Sequence, residues 1–163
     1  MVVDEAVIRR ELRPGDAEAI VELHDRLYRR HHGMDERFTA GVAASLERAL
    51  ARGWPRGGGA WLVEHEGRVA GCLGLTDEGE GAARIRWVLL EPELRGAGLG
   101  RRLIGDAVAA ARRLGFARLE LDTFGALRSA ARIYRDAGLV VVSEEETEMW
   151  GPPIVFQRYE MKL

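Results

Sequence analysis

Residues 95–102 read RGAGLGRR, so that Gly96, Gly98 and Gly100 fall within five positions between basic residues. Glycine gives up more backbone entropy on ordering than any other residue. Such density implies a chain that must bend sharply or admit something close to its N–H groups. A helical stripe follows at once: Leu99, Leu103, Ile104, Ala107, Ala111 and Leu114 recur at helical spacing, and Gly115 stands where a C-cap belongs. Upstream, ARIRWVLLEP has the length and composition of a strand. Strand, glycine turn and helix in that order put free amides at a helix N-terminus, where the macrodipole favours negative charge. The segment reads as an anion cradle, with phosphate as the usual occupant.

The rest of the chain sets bounds on this reading. Its 163 residues fit a single domain, 1–163, with one sizeable core. A formal charge of −2 points to no general nucleic-acid or membrane surface. Cys72, the only cysteine, sits in the apolar run VAGCLGLT; it reads as a buried strand residue, and its lack of a disulfide partner suits a reducing, cytoplasmic setting. No apolar run approaches ~18 residues, and MVVDEAVIRREL is too charged for a signal peptide. VIRRELR (7–13) reads as a first strand stopped by the turn RPGD, and two amphipathic helices follow, closed by Gly33 and Gly53. AWLVEHE, VAGCLGLTD and ARIRWVLLEP read as three strands, joined by a tight turn at Gly67-Arg68 and a looser one at EGEG. After the loop helix come the strand ARLELDT, the helix LRSAARIYRDAG, and two strands around WGPP. The predicted order is β-α-α-β-β-β-α-β-α-β-β, an α/β chain without repeats or a dividing linker.

Three phosphate-binding families share such a cradle. A P-loop requires Lys-Ser/Thr after its last glycine, where this chain has Arg101 and Arg102. A dinucleotide fingerprint requires a third glycine where Arg101 stands, directly after a strand, whereas EPELR intervenes and only about 63 residues remain downstream. Arg95, Gly98 and Gly100 instead spell R-x-x-G-x-G after LLEP, which resembles the signature of the GCN5-related N-acetyltransferases (GNAT). AARIYRDAGL (130–139) is similar to that family's second motif, A-x-x-x-Y-x-x-x-G-F, and the predicted order over residues 7–162 looks like its fold, a mixed, largely antiparallel sheet flanked by helices. Two departures stand out. Leu127 occupies a position where many members carry Asn, removing one polar contact to the cofactor, and Leu139 replaces the commoner Phe. The run with Leu27-Tyr28, Gly33, Asp35 and Phe38 looks most like acetyltransferase domains fused to MarR-type regulators, here without the regulator.

The resemblance implies transfer of an acetyl group from acetyl-CoA, a cosubstrate, to a primary amine of a small molecule or peptide, by direct attack in a ternary complex. Arg95, Gly96, Ala97, Gly98, Leu99, Gly100 and Arg101 would hold the pyrophosphate of coenzyme A. Val88, Leu89 and Leu90 would pair their backbone with the pantetheine arm and supply an oxyanion donor, and Ser129 would touch the polar arm. Tyr134 would protonate the departing thiolate or hydrogen-bond the sulfur. The base stays open among Glu91, Glu120, Asp122, His24, His31 and His32, none with distinctive spacing, and His24 reads foremost as a core histidine. Four histidines and one cysteine have no zinc spacing, so no metal is expected.

Acceptor specificity is expected in the 24–38 region, the WPRGGG loop and ETEMWGPP. The acidic run SEEETE (143–148) reads as a solvated face, and Arg84 and Arg86 as residues that favour an acidic acceptor. The expected partners are the amine acceptor and a second copy of the chain in a homodimer, with neither nucleic acid nor membrane. The competing class is a non-catalytic acyl-CoA sensor or interaction domain.

Overall fold

A computed structural model describes residues 5–54 and 58–163. The elements in chain order are β1 (Val7–Arg9), α1 (Asp16–His32), α2 (Glu36–Ala51), β2 (Gly59–His65), β3 (Arg68–Gly79) and β4 (Ala82–Leu90), then a 3-10 turn (Pro92–Leu94). They continue as α3 (Leu99–Arg113), β5 (Arg118–Phe124), α4 (Arg128–Asp136), β6 (Val140–Thr147) and β7 (Ile154–Lys162). This is the order expected from the sequence. The first strand is shorter than VIRRELR suggests. Its last residue, Arg9, still pairs with Leu62 and turns its guanidinium onto buried Asp16 at the start of α1 (2.7 and 3.0 Å). The tight turn lies one residue earlier than expected, at Glu66-Gly67, both with positive φ. β3 also runs on through Gly79, and Glu80-Gly81 make a second two-residue turn with positive φ at both positions.

One seven-stranded sheet carries the order β1-β2-β3-β4-β5-β7-β6, and only β4–β5 is parallel. Because strand side chains alternate between faces, the sheet supports a core on each side. Trp61, Val63, Leu73 and Leu75 pack with α3 and α4, while Leu62 and Cys72 pack with α1 and α2. β4 changes parity midway. Ala83 and Ile85 face the α3/α4 core, whereas Trp87 and Leu89 face the α1/α2 core. The cause is a bulge: Cys72 pairs with Leu89 but Gly74 pairs with Arg86, leaving one extra residue in β4, and Trp87 takes φ 53°. Gly74 makes room for it, since a Cβ there would lie 2.5 Å from the Trp87 ring. Among the described residues no helix is long and apolar enough to cross a membrane.

Candidate active site

The parallel pair β4–β5 is short. It covers Ala82–Arg84 against Arg118–Glu120, after which β4 keeps only β3 as a partner and β5 only β7. The two strands splay, and a cavity of about 320 Å³ opens between them, lined by Val88 and Trp87 from β4, Thr123 and Phe124 from β5, and Tyr134 from α4. The bulge sits at this point, so it re-aims the β4 backbone just where the sheet loses its ladder. Val88 and Leu90 turn toward the α3/α4 core and Leu89 is buried against α1 and α2, which leaves the backbone of this stretch as the polar surface facing the gap.

β4 ends at the 3-10 turn, and the loop that follows is exposed from Arg95 to Gly98. Gly96 and Gly98 adopt φ 86° and 83°, conformations in which a side chain would be strained, and the space on their outer side is empty to 4 Å. Gly98 caps α3 without a side-chain partner. The first backbone bond of the helix runs from Arg102 N–H to Gly98 O (3.0 Å), so the N–H groups of Leu99, Gly100 and Arg101 remain free at the positive end of the dipole. Gly100 serves helix packing instead, because a Cβ there would come within 3.1 Å of Ile133 on α4, and its smallness sets how closely the two helices approach. The Arg95 Nε–H donates to Leu90 O (3.1 Å) and ties the loop to the end of β4. Arg101 pairs with Asp136 (2.7 Å) at an exposed position. A diphosphate ester fits this arrangement of open glycine backbone and uncapped amides.

Tyr134 is 5% exposed, with its ring edge-on to Tyr159 at 5.5 Å. Burial foremost, with Tyr28 and Tyr159 nearby, pushes its phenol well above the ordinary range, so the hydroxyl stays a donor at any working pH. Tyr28, also lining the cavity, is pushed up to about 12 by burial. Ser129 is exposed in the first turn of α4, and Leu127, the N-cap residue of that helix, adds an apolar wall where an amide side chain would add a polar one. The structure thus brings Val88, Tyr134 and the α1 residues to one cleft, with the glycine loop at the end of β4.

The candidate bases separate by their partners. Glu91 is 1% exposed, and although burial raises its pKa, hydrogen bonds from Arg26 (2.9 Å) and from Arg68 prevail and hold it below the ordinary carboxylate range. Glu120 accepts from Arg84 (3.0 Å), and Asp122 accepts from Arg158 (2.9 Å) and Arg84 (3.3 Å). All three carboxylates are occupied by guanidinium groups. His31 is exposed, and half-buried His32 packs edge-on to Phe124 at 5.1 Å. His24 differs. Its Nδ1 lies 2.8 Å from the Ile20 carbonyl, which can only accept, so Nδ1 carries the proton and Nε2 keeps a bare lone pair. Burial drives its pKa from 6.5 down to about 4 despite that bond, and the ring lines the cavity, stacked on Tyr28 at 5.8 Å. Sequence spacing marks His24 as a core residue, and it is one, on the wall of the cleft.

Trp150 from ETEMWGPP and Tyr28 and Phe38 from the 24–38 region line the cavity, whereas Pro55, Arg56 and Gly57 of the WPRGGG loop lie outside the described residues. The run Glu144–Glu146 is exposed on the edge strand β6 and takes no part in the cleft. Arg84 and Arg86 do line it, but they are neutralised by Glu120, Asp122 and Glu78. The Cys72 thiol is buried, raised well above its ordinary pKa, and donates to Trp87 O (2.9 Å) at the bulge. Among the described residues no group of three or more His, Cys, Asp or Glu side chains is placed to hold a metal ion.

Residues 18–139 match the family model described as the acetyltransferase (GNAT) family. The uncharacterized N-acetyltransferase YjgM of Escherichia coli is 35% identical over 81 residues, which span 48% of this chain and 48% of that protein. The chain thus matches about half the length of the curated relatives. Among solved structures, yncA of Salmonella typhimurium with its cofactor acetyl-CoA superposes with a TM-score of 0.72 at 20% identity, covering 98% of this chain and 94% of that one. An acetyltransferase of Bacillus subtilis in complex with CoA gives 0.66 at 18% identity, covering 98% and 99%. At these identities the likeness is one of fold.

Proposed function

Because the chain belongs to the GNAT acetyltransferase family, we propose that it transfers an acetyl group from acetyl-CoA to a primary amine by direct attack within a ternary complex. The observation that carries this reading is the meeting of the splayed β4–β5 gap with the uncapped, glycine-lined N-terminus of α3. The loop from Arg95 to Arg101 binds the pyrophosphate through backbone amides, and the backbone of Val88, Leu89 and Leu90, on the side of β4 away from β3, aligns the pantetheine arm and donates to the thioester oxygen. An oxyanion donor of this kind is worth ~2.7–4 kcal/mol where single donors have been removed in other enzymes. Ser129, exposed in the first turn of α4, touches the polar arm.

The amine nitrogen attacks the thioester carbon, a C–N bond forms, and the C–S bond breaks. His24 Nε2 takes the proton released by the nitrogen, directly or through one water, and Tyr134 Oη passes a proton to the thiolate and is reprotonated from solvent, so that the phenol is restored and His24 releases its proton to water. A histidine held near pKa 4 is too weak to strip an ammonium with a pKa of ~10.4, so the acceptor arrives as the neutral amine and loses its proton only after attack has made the nitrogen acidic. Positioning of two substrates contributes ~7–11 kcal/mol in well-oriented reactions, and it remains the larger share here.

Turnover of acetyl-CoA, followed by thiol release with a panel of amines, amino acids and peptides, tests the proposal. A protein that binds coenzyme A yet releases no thiol with any acceptor is the non-catalytic sensor instead. Sedimentation velocity tests the accompanying homodimer, for which exposed Val140 and Val142 on edge strand β6 offer an apolar strip.

A further inference from the structure

A second cavity, about 530 Å³, adjoins the cleft between α2 and the β3–β4 hairpin, and the two share Ser45, Arg48 and Arg86 as walls. Its polar groups divide into those already engaged and those left free. Of its carboxylates, Asp77 accepts at Oδ1 from Gly79 N–H (2.8 Å), and Glu78 accepts at Oε1 from Arg86 (2.6 Å) and the Thr76 hydroxyl (2.9 Å). Ser45 is engaged as well, accepting from Trp87 Nε1–H (2.8 Å) and donating to Val42 O (2.8 Å).

Exposed Asp77 has no cationic partner among the described residues, and the other groups left over are donors. Arg48 and Arg52 have no carboxylate partner among the described residues, in contrast to Arg84 and Arg86 beside them. Trp54 is 7% exposed, and its buried Nε1–H has no hydrogen-bond partner among the described residues. Arg48 and Arg52 stand four residues apart at the end of α2, a spacing at which like charges repel. An anion between them removes that repulsion, and a guanidinium fork matches a carboxylate or phosphate.

We propose that this cavity is the anion subsite of the acceptor: the amine that enters the cleft carries a carboxylate or phosphate, held by Arg48 and Arg52 with the Trp54 indole N–H. The proposal rests on the transferase reading for the amine end only. The anion contact is a property of Arg48, Arg52 and Trp54 that exists whether or not transfer occurs.

Matched acceptor pairs test it: L-amino acids against their α-amides, and phosphoethanolamine against ethanolamine. The anionic member of at least one pair is expected to have a kcat/KM at least ~10-fold higher, and Arg48→Gln and Arg52→Gln to abolish that preference through KM while the KM for acetyl-CoA stays unchanged. Which pair shows the preference distinguishes carboxylate from phosphate. A second readout needs no turnover: calorimetric titration of the coenzyme A-saturated protein with the N-acetylated form of the preferred acid, or with N-acetylglycine and N-acetylphosphoethanolamine if no acceptor reacts. Binding that weakens at least ~10-fold in Arg48→Gln, and detectably in Trp54→Phe, supports the subsite even where thiol release fails. Equal use of both members of each pair by the parent overturns the proposal, as does variant binding equal to the parent's. If Arg48→Gln instead weakens acetyl-CoA binding and leaves the acceptor pairs unmoved, the free arginines belong to the cosubstrate and the proposal falls.

Discussion

Deleting one oxygen isolates the role of Tyr134. Tyr134→Phe keeps the ring that packs on Tyr159, so folding should be retained, while the proton donor beside the cleft is lost. General acid assistance is worth ~10²–10⁴-fold in other enzymes; a fall in kcat of at least ~10-fold is expected by thiol release, with the calorimetric affinity for acetyl-CoA little changed. Parental turnover under saturating acceptor would falsify the assignment. His24 makes a separable prediction. Since it cannot deprotonate an ammonium, kcat/KM should climb about tenfold per pH unit until the acceptor amine's own pKa, and His24→Gln should lower the whole profile at least ~10-fold without moving that limb. A profile flat below the amine pKa would show that a stronger base exists. The place of Tyr134 beside the cleft follows a motif with fixed spacing that points to it. His24 is not legible in this way, because its distinction lies in a backbone hydrogen bond and a dry wall, and sequence displays neither.

At the scale of elements, periodicity and turn residues located the strands and helices well because each follows from local chemistry. The errors fell where one residue of slip decides the geometry, as at Glu66-Gly67, or where pairing partners lie far apart in sequence. The β4 bulge is of the second kind: Trp87 is an ordinary strand residue by propensity, and only its long-range partner Gly74, flat against the indole, permits its positive φ. The splay is likewise invisible, since it depends on a β4–β5 ladder that stops after Arg84. The glycine loop was legible because φ above zero and free amides leave a signature in composition. Gly98→Val tests it. The substitution forces a β-branched side chain into φ 83° and fills the open face of the loop, so affinity for coenzyme A should drop at least ~10-fold by calorimetry on protein with an intact far-ultraviolet spectrum. Unchanged affinity would remove the loop from the site.

Charge behaves as a property of the whole molecule. Read along the chain, Arg84 and Arg86 suggest an acidic acceptor, yet the fold neutralises them with Glu78, Glu120 and Asp122, whereas Glu144–Glu146 of SEEETE, read as a solvated face, are exposed on the edge strand. Partners 36 and 38 residues away cannot be read from local sequence. Buried ionisable groups leave a further trace in global stability. His24 has a folded pKa of about 4 against an ordinary 6.5, so the unfolded chain binds its proton first and stability contributed above pH 6.5 is lost as pH falls toward 4. Between pH 7 and pH 5 this amounts to roughly 2 kcal/mol. Half-buried His32, lowered by burial and by neighbouring His31 and Arg95, adds in the same direction. Carboxylates such as Glu91, held below 4.5, withdraw their contribution mainly below pH 4.5, outside this window. Urea denaturation of the parent and of His24→Gln at both pH values separates the terms, because every group except His24 cancels in the difference. The parent should lose roughly 2 kcal/mol more than the variant on going from pH 7 to pH 5, whatever the variant's absolute stability. Equal losses would mean that His24 is not kept neutral by burial, and the bare Nε2 acceptor assigned to it in the cleft would go with it.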